Sequence, residues 1–585
     1  MIMMKKLFLL MAVVAGGFAA TSCSSGSDAT AETPQSLDSK FDAQGNAYLK
    51  IALNLPTSNG MTRANGVYDA GTEEEYAIKD AVLVLFKGNN ENDAVFLKAY
   101  NLTNTSVGTT GANEQISTRR LYSQKVNKGD ANLGSETVYA MVVANTNGLF
   151  TVASDNASMT VTTSTGSQTV NNTTTFATYQ TYILNKVGDT TNGLLMTNPP
   201  LSSAKGGSTS PASGDIRRVA PLTAEHFYTS EAEAYAGTKY VEIYLERAAA
   251  KISVTASSSA SEALTSAPSV TYNPSTITWG IQNYNTTFYG IRKVEKSYFG
   301  YLSDNVDASL ATKYRFVDAN IIADDAVNKY SRIHWAEDVN YAAAPENTDA
   351  PTAWNNRGAA VYVAENTINA QSLKQTMTTR VVVKVQFNAG NFYTTSLAGA
   401  DDIFTTPASL TEKVVEYLKG QSDFATWFAS HPSATITGTY GTSAGLVGVT
   451  LSSSEDDDNF QIIPSVSNIN ANVQFTYFPG GVCYYPVLIK HFGDVETPLP
   501  NTTDIAGTGY NDIYGSTADA QNKNFLGRYG VVRNNWYEVV VDGVKHIGSA
   551  KIPTPEDIPD DVVESYLKVR INILSWAKRT QNVTL

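Results

Sequence analysis

The strongest constraint on this chain is the period of its apolar residues. In "YLKIALNL" (48–55), Leu49, Ile51, Leu53 and Leu55 alternate with Tyr48, Lys50, Ala52 and Asn54, and the run stops at Pro56. A period of two places alternate side chains on opposite faces of an extended strand, so one face is apolar and needs a partner layer. Further strand signals follow at "AIKDAVLVLFKG" (77–88), "TVYAMVVANTN" (137–147), "YVEIYLERAAAKISVTA" (240–256), "TTRVVVKVQF" (378–387), "NVQFTYFPG" (472–480) and "NWYEVVVDGVKHIG" (535–548). Gly, Asn and Ser turns separate them. Helical patterns are confined to short stretches, "LTEKVVEYLKG" (410–420) and "EAEAYAG" (231–237). The pattern implies an all-β chain built as β-sandwiches with minor helices.

With 585 residues the chain exceeds what one core supports, since single cores stop growing at roughly 250–300 residues. A boundary is expected near 245–255, where a long strand runs through "ERAAAK" from one sandwich into the next. The alternative is one long strand inside a single domain. No repeat at a fixed period is present. A hydrophobic fraction of 42% against 17% charged residues gives enough apolar surface to offset ordering entropy, so the chain folds. Its net charge of −13, with no dense basic stripe, excludes nucleic acid as a partner.

The N-terminus is a targeting device. "MIMMKKLFLLMAVVAGGFAATSC" joins Lys5 and Lys6 to an apolar core too short for a membrane span, then small residues lead to Cys23. "ATSC" resembles a bacterial lipobox, in which the cysteine is acylated and begins the mature precursor; the alternative is an ordinary signal peptide with a nearby Cys. The other cysteine is Cys483. With Cys23 acylated, Cys483 has no disulfide partner and reads as a buried structural thiol. The stretch after Cys23 is polar and reads as a tether. Beyond Pro56, "TSNGMTRANG" sets Arg63 in a small-residue loop open to proteases.

Signals for catalysis or metal binding are thin. His226, His334, His431, His491 and His546 lie far apart in the chain and form no local metal motif. "GTSAG" (441–445) fits the pattern of a nucleophile elbow at Ser443, but strand-like residues on both sides make it a hairpin turn. The cluster "SSSEDDDN" (452–459) lacks the spacing of a calcium loop and reads as a solvated loop. No enzyme, metal or cofactor is expected.

The C-terminus returns to the opening strand. After "KIPTPEDIPDD", whose prolines favour an extended connector, comes "YLKVRINI" (566–573). Against "YLKIALNL" it keeps Tyr, Leu, Lys and Asn, exchanges aliphatics for aliphatics, and changes character once, from Ala52 to Arg570. Leu567, Val569, Ile571 and Ile573 repeat the spacing of Leu49, Ile51, Leu53 and Leu55. Two strands so alike suit the same groove; the alternative is that aliphatic alternation is common. A cut at Arg63 frees the first strand, and the connector holds the last one out from the body. Removing the first strand opens a template for strand addition from a second molecule. Four aliphatic side chains contribute roughly 6–12 kcal/mol at most. The contact is head-to-tail, so it yields a filament.

Taken together, the lipobox leader, the "TRA" loop, "IKDAVLVLF", "ERAAAKISV", "VYVAENT" (361–367), "GGVCYYPVLIKH", "RYGVVRNNWYEV" (528–539) and "ILSWAKRTQNVTL" resemble the Bacteroidales fimbrillin family, most closely the major (shaft) subunit of the short or minor fimbria. The resemblance implies two transthyretin-like β-sandwiches in tandem, exported to the outer membrane as a lipoprotein precursor. It also implies cleavage after the first strand by a trypsin-like Arg-specific protease, here between Arg63 and Ala64, with Arg119 and Arg120 as weaker competitors. The C-terminal strand of one subunit then completes the next.

The expected organisation is therefore a signal peptide (1–22), a lipidated propeptide with the removable strand (23–63), an N-terminal sandwich (64–250), a C-terminal sandwich (251–550), and a connector with donor strand (551–585). Trp576 is assigned either to anchoring the donor strand or to its own domain's core. Expected partners are copies of this chain, anchor and tip subunits, the protease, and the outer membrane through the precursor's lipid. A second reading is a monomeric lipid-anchored surface protein that binds glycans or a host protein through its aromatics.

Overall fold

The computed structural model describes residues 37–55, 71–103, 105–106, 119–128, 136–203, 216–294, 316–324, 329–493, 497, 513–514, 524–562 and 567–575. The fold is mostly β with a few helices, and most strand pairs are antiparallel. In the first half, the main strands are β1 (Asn46–Asn54), β2 (Ala81–Gly88), β3 (Val95–Asn101), β4 (Arg119–Asn127), β5 (Thr137–Ala144), β6 (Phe227–Tyr228) and β7 (Val241–Tyr244). One sheet has β1 at its centre, with β4 along one edge and β6 and then β7 along the other. A second sheet sets β2 between β3 and β5. Leu49, Ile51, Leu53 and Leu55 meet Leu83, Leu85, Val138, Val142, Val241 and Ile243 between the two sheets, a closed apolar core. Val82, Val84, Phe86 and Met141, one residue out of phase, pack on the opposite face with Phe176 and Phe288. That second core explains why 81–88 is nearly all apolar: both faces are covered.

The second half holds β8 (Ala250–Ala256), β9 (Thr278–Gln282), β10 (Ala360–Val363), β11 (Arg380–Gln386), β12 (Val482–Leu488), β13 (Asn535–Val544) and β14 (Leu567–Ser575). One sheet runs in the order β10-β8-β13-β14, and β9, β11 and β12 form another. Ile252, Val254, Trp279, Val381, Val383, Cys483, Tyr485, Val539 and Val541 fill the space between. Burial pushes the Cys483 thiol up to about 12, so it is an inert packing group.

Residues 240–256 do not form the long strand expected of them. The chain breaks into β7, the pair Glu246–Arg247 and β8, and these lie in three different sheets. Charge accounts for the break. Glu246 and Arg247 are buried where the two halves meet, and each takes polar partners that a continuous ladder would not offer. Arg292 Nη1 lies 3.3 Å from Glu246, and Arg247 Nε donates to the Glu75 carbonyl at 2.8 Å. Nearby, Arg533 Nη2 pairs with Glu365 at 2.8 Å, both fully buried. Removing one member of such a pair strands the other charge. Arg533→Ala, which leaves Glu365 facing Arg292 at 3.6 Å, is expected to lower the unfolding free energy by about 3–5 kcal/mol in urea titration. A loss below about 1 kcal/mol would show that this buried pair contributes little to stability.

Between β11 and β12 a smaller lobe carries the helices α1 (Pro407–Lys419), α2 (Ser422–Ser430) and α3 (Pro464–Asn472) around Leu410, Val414, Leu418, Phe424, Val466 and Ile469. The first begins three residues before the helix read from sequence, because Thr406 caps it by accepting from the Ser409 amide and Pro407 suits the first turn. Strands 436–440 and 449–453 pair antiparallel, and Ser443 stands exposed between them, but the strand that follows it directly, Gly445–Val447, pairs with Phe475–Tyr477 and does not close a hairpin turn at 441–445. Among the described residues no group of three or more His, Cys, Asp or Glu converges as for a metal ion.

Candidate functional site

The first strand is gripped on both edges. Each residue of β1 from Asn46 to Asn54 is in register with β4, from Asn127 back to Arg119. On the other edge Tyr48 and Leu49 pair with β6, Ile51 to Asn54 run parallel to Val241–Tyr244, and the Leu245 amide donates to the Asn54 carbonyl at 2.9 Å. Leu49, Ile51 and Leu53 are completely buried and Leu55 is 4% exposed. Taking β1 away would leave an apolar slot with unpaired backbone on both walls.

The outer face of β1 is also covered. Lys50 Nζ donates to the Gly237 carbonyl at 2.6 Å and the Tyr235 carbonyl at 3.2 Å, at the end of the short helix Glu231–Ala236, and burial lowers its pKa. Arg119 reaches across from β4. Its Nε donates to Asn54 Oδ1 at 3.1 Å, its Nη1 to the Tyr240 hydroxyl at 2.9 Å and its Nη2 to Glu242 Oε1 at 3.2 Å. Ala52, small and fully buried, lies between Leu121 and Glu242 in register and leaves room for that crossing. Arg119 and Arg120 lie in a paired strand, a poor substrate for a protease that needs an extended, unpaired backbone.

Cys23, Arg63 and Ala64 lie outside the described residues, as does Trp576. The first described residues beyond Arg63 are firmly fixed. Glu75, in the turn of helix Glu73–Tyr76, receives the Thr72 amide at 2.9 Å, Lys251 Nζ at 2.7 Å and the Tyr362 hydroxyl at 2.5 Å. Burial alone would raise the Glu75 carboxyl, but Lys251 and Tyr362 hold it below its usual value. The chain after the loop is thus tied to the second half of the molecule independently of β1.

The last strand is not held away from the body. β14 pairs antiparallel with β13, from Asn535 opposite Ser575 to Val544 opposite Leu567, with a bulge between Val541 and Gly543. Among the described residues it is the outermost strand of its sheet, with one neighbour, whereas β1 has neighbours on both edges. The backbone of Leu567, Val569, Ile571 and Ile573 therefore lies on the molecule's own sheet. The connector runs without strand structure, as its prolines dictate, and is pinned by side chains. Lys374 Nζ meets Asp557 at 2.9 Å, and Gln375 donates twice, from its amide to the Ile558 carbonyl at 3.0 Å and from Nε2 to the Val562 carbonyl at 2.5 Å.

Asp560 and Asp561 close this clasp. Asp560, fully buried, accepts from the Tyr514 hydroxyl and, at 3.2 Å, from Thr378; Asp561 takes Arg528 Nε at 2.5 Å and the Tyr529 hydroxyl at 2.8 Å. Burial, and then the charge of Asp561, push the Asp560 carboxyl up from 3.8 to about 7. The folded chain holds this proton more tightly than the unfolded chain does. Its contribution is complete below about pH 4 and is lost as pH rises through about 7. Amides of residues 551–562, corrected for intrinsic exchange, are expected to show lower protection at pH 8 than at pH 5.5, and Asp560→Asn to remove the difference. Equal protection at both pH values in the unaltered chain would contradict this.

Residues 506–582, from before β13 through β14, match the family model "Major fimbrial subunit protein type IV, Fimbrillin, C-terminal". The chain carries a fimbrillin C-terminal region. No curated protein sequence matches the chain. Among solved structures it is similar to a protein described as a cell adhesion protein of Parabacteroides distasonis, at 12% identity over 91% of this chain and 98% of that one, with a TM-score of 0.34. It is also similar to the tip fimbrial protein Mfa3 of Porphyromonas gingivalis with a C-terminal truncation, at 10% identity over 90% and 100%, with a TM-score of 0.27. A fimbrial assembly protein of Parabacteroides distasonis aligns at 12% identity over 58% and 81%, with a TM-score of 0.25. Scores this low fix no correspondence between individual domains.

The fimbrillin match covers the segment whose sequence repeats that of β1. Sequence reasoning did not single out Glu242, Arg119's bridging role, or the Asp560–Asp561 clasp. None carries a local motif; each depends on strands brought together from distant parts of the chain.

Proposed function

We propose that this protein is a fimbrillin, the shaft subunit of a short surface fimbria, and that it polymerises by protease-triggered strand exchange, supporting adhesion and biofilm formation. In this reading it is exported as an outer-membrane lipoprotein precursor acylated at Cys23. A trypsin-like Arg-specific protease cuts between Arg63 and Ala64, and residues up to Arg63 depart with β1. The slot between β4 and β7 then receives the tail of a second copy, with Leu567, Val569, Ile571 and Ile573 in the places of Leu49, Ile51, Leu53 and Leu55. Two transthyretin-like sandwiches, 64–250 and 251–550, form the body, 551–585 serves as connector and donor, and Trp576 secures the docked strand. Anchor and tip subunits complete the fibre.

The observation that carries this reading is the difference between the two strands' positions. Among the described residues β1 is bonded along both edges, and β14, nearly the same sequence, along one. A tail that trades an edge for an interior position gains a ladder, which gives the exchange a direction. The test is to incubate the purified chain, lacking its leader, with trypsin and to follow size and N-terminus together. Ladders should appear only as Ala64 becomes the new N-terminus. Polymers that form before the cut, or monomers that persist after it, would overturn the proposal.

A further inference from the structure

The two matching strands differ in character at one place, and that place faces a carboxylate. Ala52 of β1 lies opposite Glu242 of β7, the one acidic residue of Val241–Tyr244. If the tail docks in the register of β1, Lys568 stands where Lys50 does, Asn572 where Asn54 does, and Arg570 opposite Glu242. We infer that Glu242 is the specificity residue of the assembly groove, and that it selects Arg570 of an incoming copy of this chain. This deepens the strand-exchange reading and rests on it.

The resident arrangement shows how. Glu242 Oε1 takes Arg119 at 3.2 Å and Oε2 takes the Tyr244 hydroxyl at 3.0 Å, with the Glu242 side chain still 34% exposed. Arg119 crosses a fully buried alanine to reach it. A guanidinium arriving at the place of Ala52 takes over the near side of the carboxylate and moves Arg119 aside, while Asn572 keeps the acceptor that Asn54 offers Arg119. Planar guanidinium forks share a carboxylate well, and two donors on one acceptor make a charge-assisted set. The gain lies in selection more than affinity, because a half-exposed pair is worth little in absolute terms. A strand with alanine there fits the slot; a strand with arginine fits it and also answers its charge. The groove thereby favours the tail over a returning propeptide.

The logic yields a coupled prediction. Glu242→Ala leaves two guanidiniums, Arg119 and Arg570, facing each other without an anion, and should slow ladder formation about tenfold. Arg570→Ala restores the resident pattern of Arg119 on Glu242 and should slow it less than about threefold. The double variant E242A/R570A removes the repulsion and should assemble faster than E242A alone. Full-length leaderless chains of all four types, cut at Arg63 under matched conditions, give the rates; circular dichroism confirms that each precursor is folded, and R119A/E242A serves as a second route to relieving the repulsion should E242A be unstable. A double variant no faster than E242A, or an E242A rate equal to that of the unaltered chain, overturns the inference. A chain lacking residues 566–585 separates the two levels. If it still forms ladders, strand exchange itself is wrong; if it does not while E242A assembles normally, only the pairing is wrong.

Discussion

Arg63→Ala is expected to give a folded precursor that trypsin no longer converts into ladders, with assembly reduced by at least about a hundredfold. The reason is concentration. While the chain is intact, β1 is tethered beside its own slot at an effective concentration of about millimolar, against a tail supplied by other molecules at micromolar levels. A competitor of nearly identical sequence then loses by roughly a thousandfold. Cutting after Arg63 turns the resident strand into a free segment that dilutes away, and the advantage passes to the tail. Nothing in the rest of the body has to unravel, because the chain beyond the loop is tied at Glu75 to Lys251 and Tyr362. Size-exclusion profiles and denaturant-free gels of the variant and the unaltered chain, taken across a trypsin time course, measure the effect. Normal ladders from Arg63→Ala would mean that release of β1 is not the trigger.

Deletion of residues 566–585 is expected to abolish polymer growth while leaving the body folded. Among the described residues β14 is an outermost strand with one partner, so its loss leaves β10, β8 and β13 still paired. A truncated chain, once cut at Arg63, offers a slot but no tail. Mixed with unaltered chains it should accept a donor and pass nothing on, so ladder length falls as its share rises. Long ladders in an equimolar mixture would count against tail donation as firmly as polymer formed by the truncated chain alone.

Much of this arrangement was legible from alternation alone. Leu49, Ile51, Leu53 and Leu55 read as one apolar face, and they are one buried face. The pattern of 535–548 likewise became β13, ending a few residues early at Val544. Alternation failed where charges intervene. Residues 240–256 look like one strand, but Glu246 and Arg247 find buried partners from residues 75, 292 and 534, and the chain turns between sheets to deliver them. Periodicity contains no term for such distant pairing. The tail's place on its own sheet was not legible for a related reason. Prolines 553, 555 and 559 do keep the connector out of an extended ladder, yet a single bridge from Lys374 to Pro559 and the side chains of Lys374, Gln375, Thr378 and Arg528 fasten it, and these lie far from it in sequence. A strand whose pattern suits a groove suits any open edge as well, and β13 offers one.

The place of β1 between two walls has a mechanical consequence. In the proposed fibre, a tail lying in that slot enters from one end, continuous with its own subunit, so tension pulls the strand along its axis. Load then falls on the whole ladder against β4 and the parallel pairs against β7 at once, instead of opening them one by one as at a peeled edge. A link of this geometry yields by sliding of its entire length, and it resists steady flow far better than a contact that unzips.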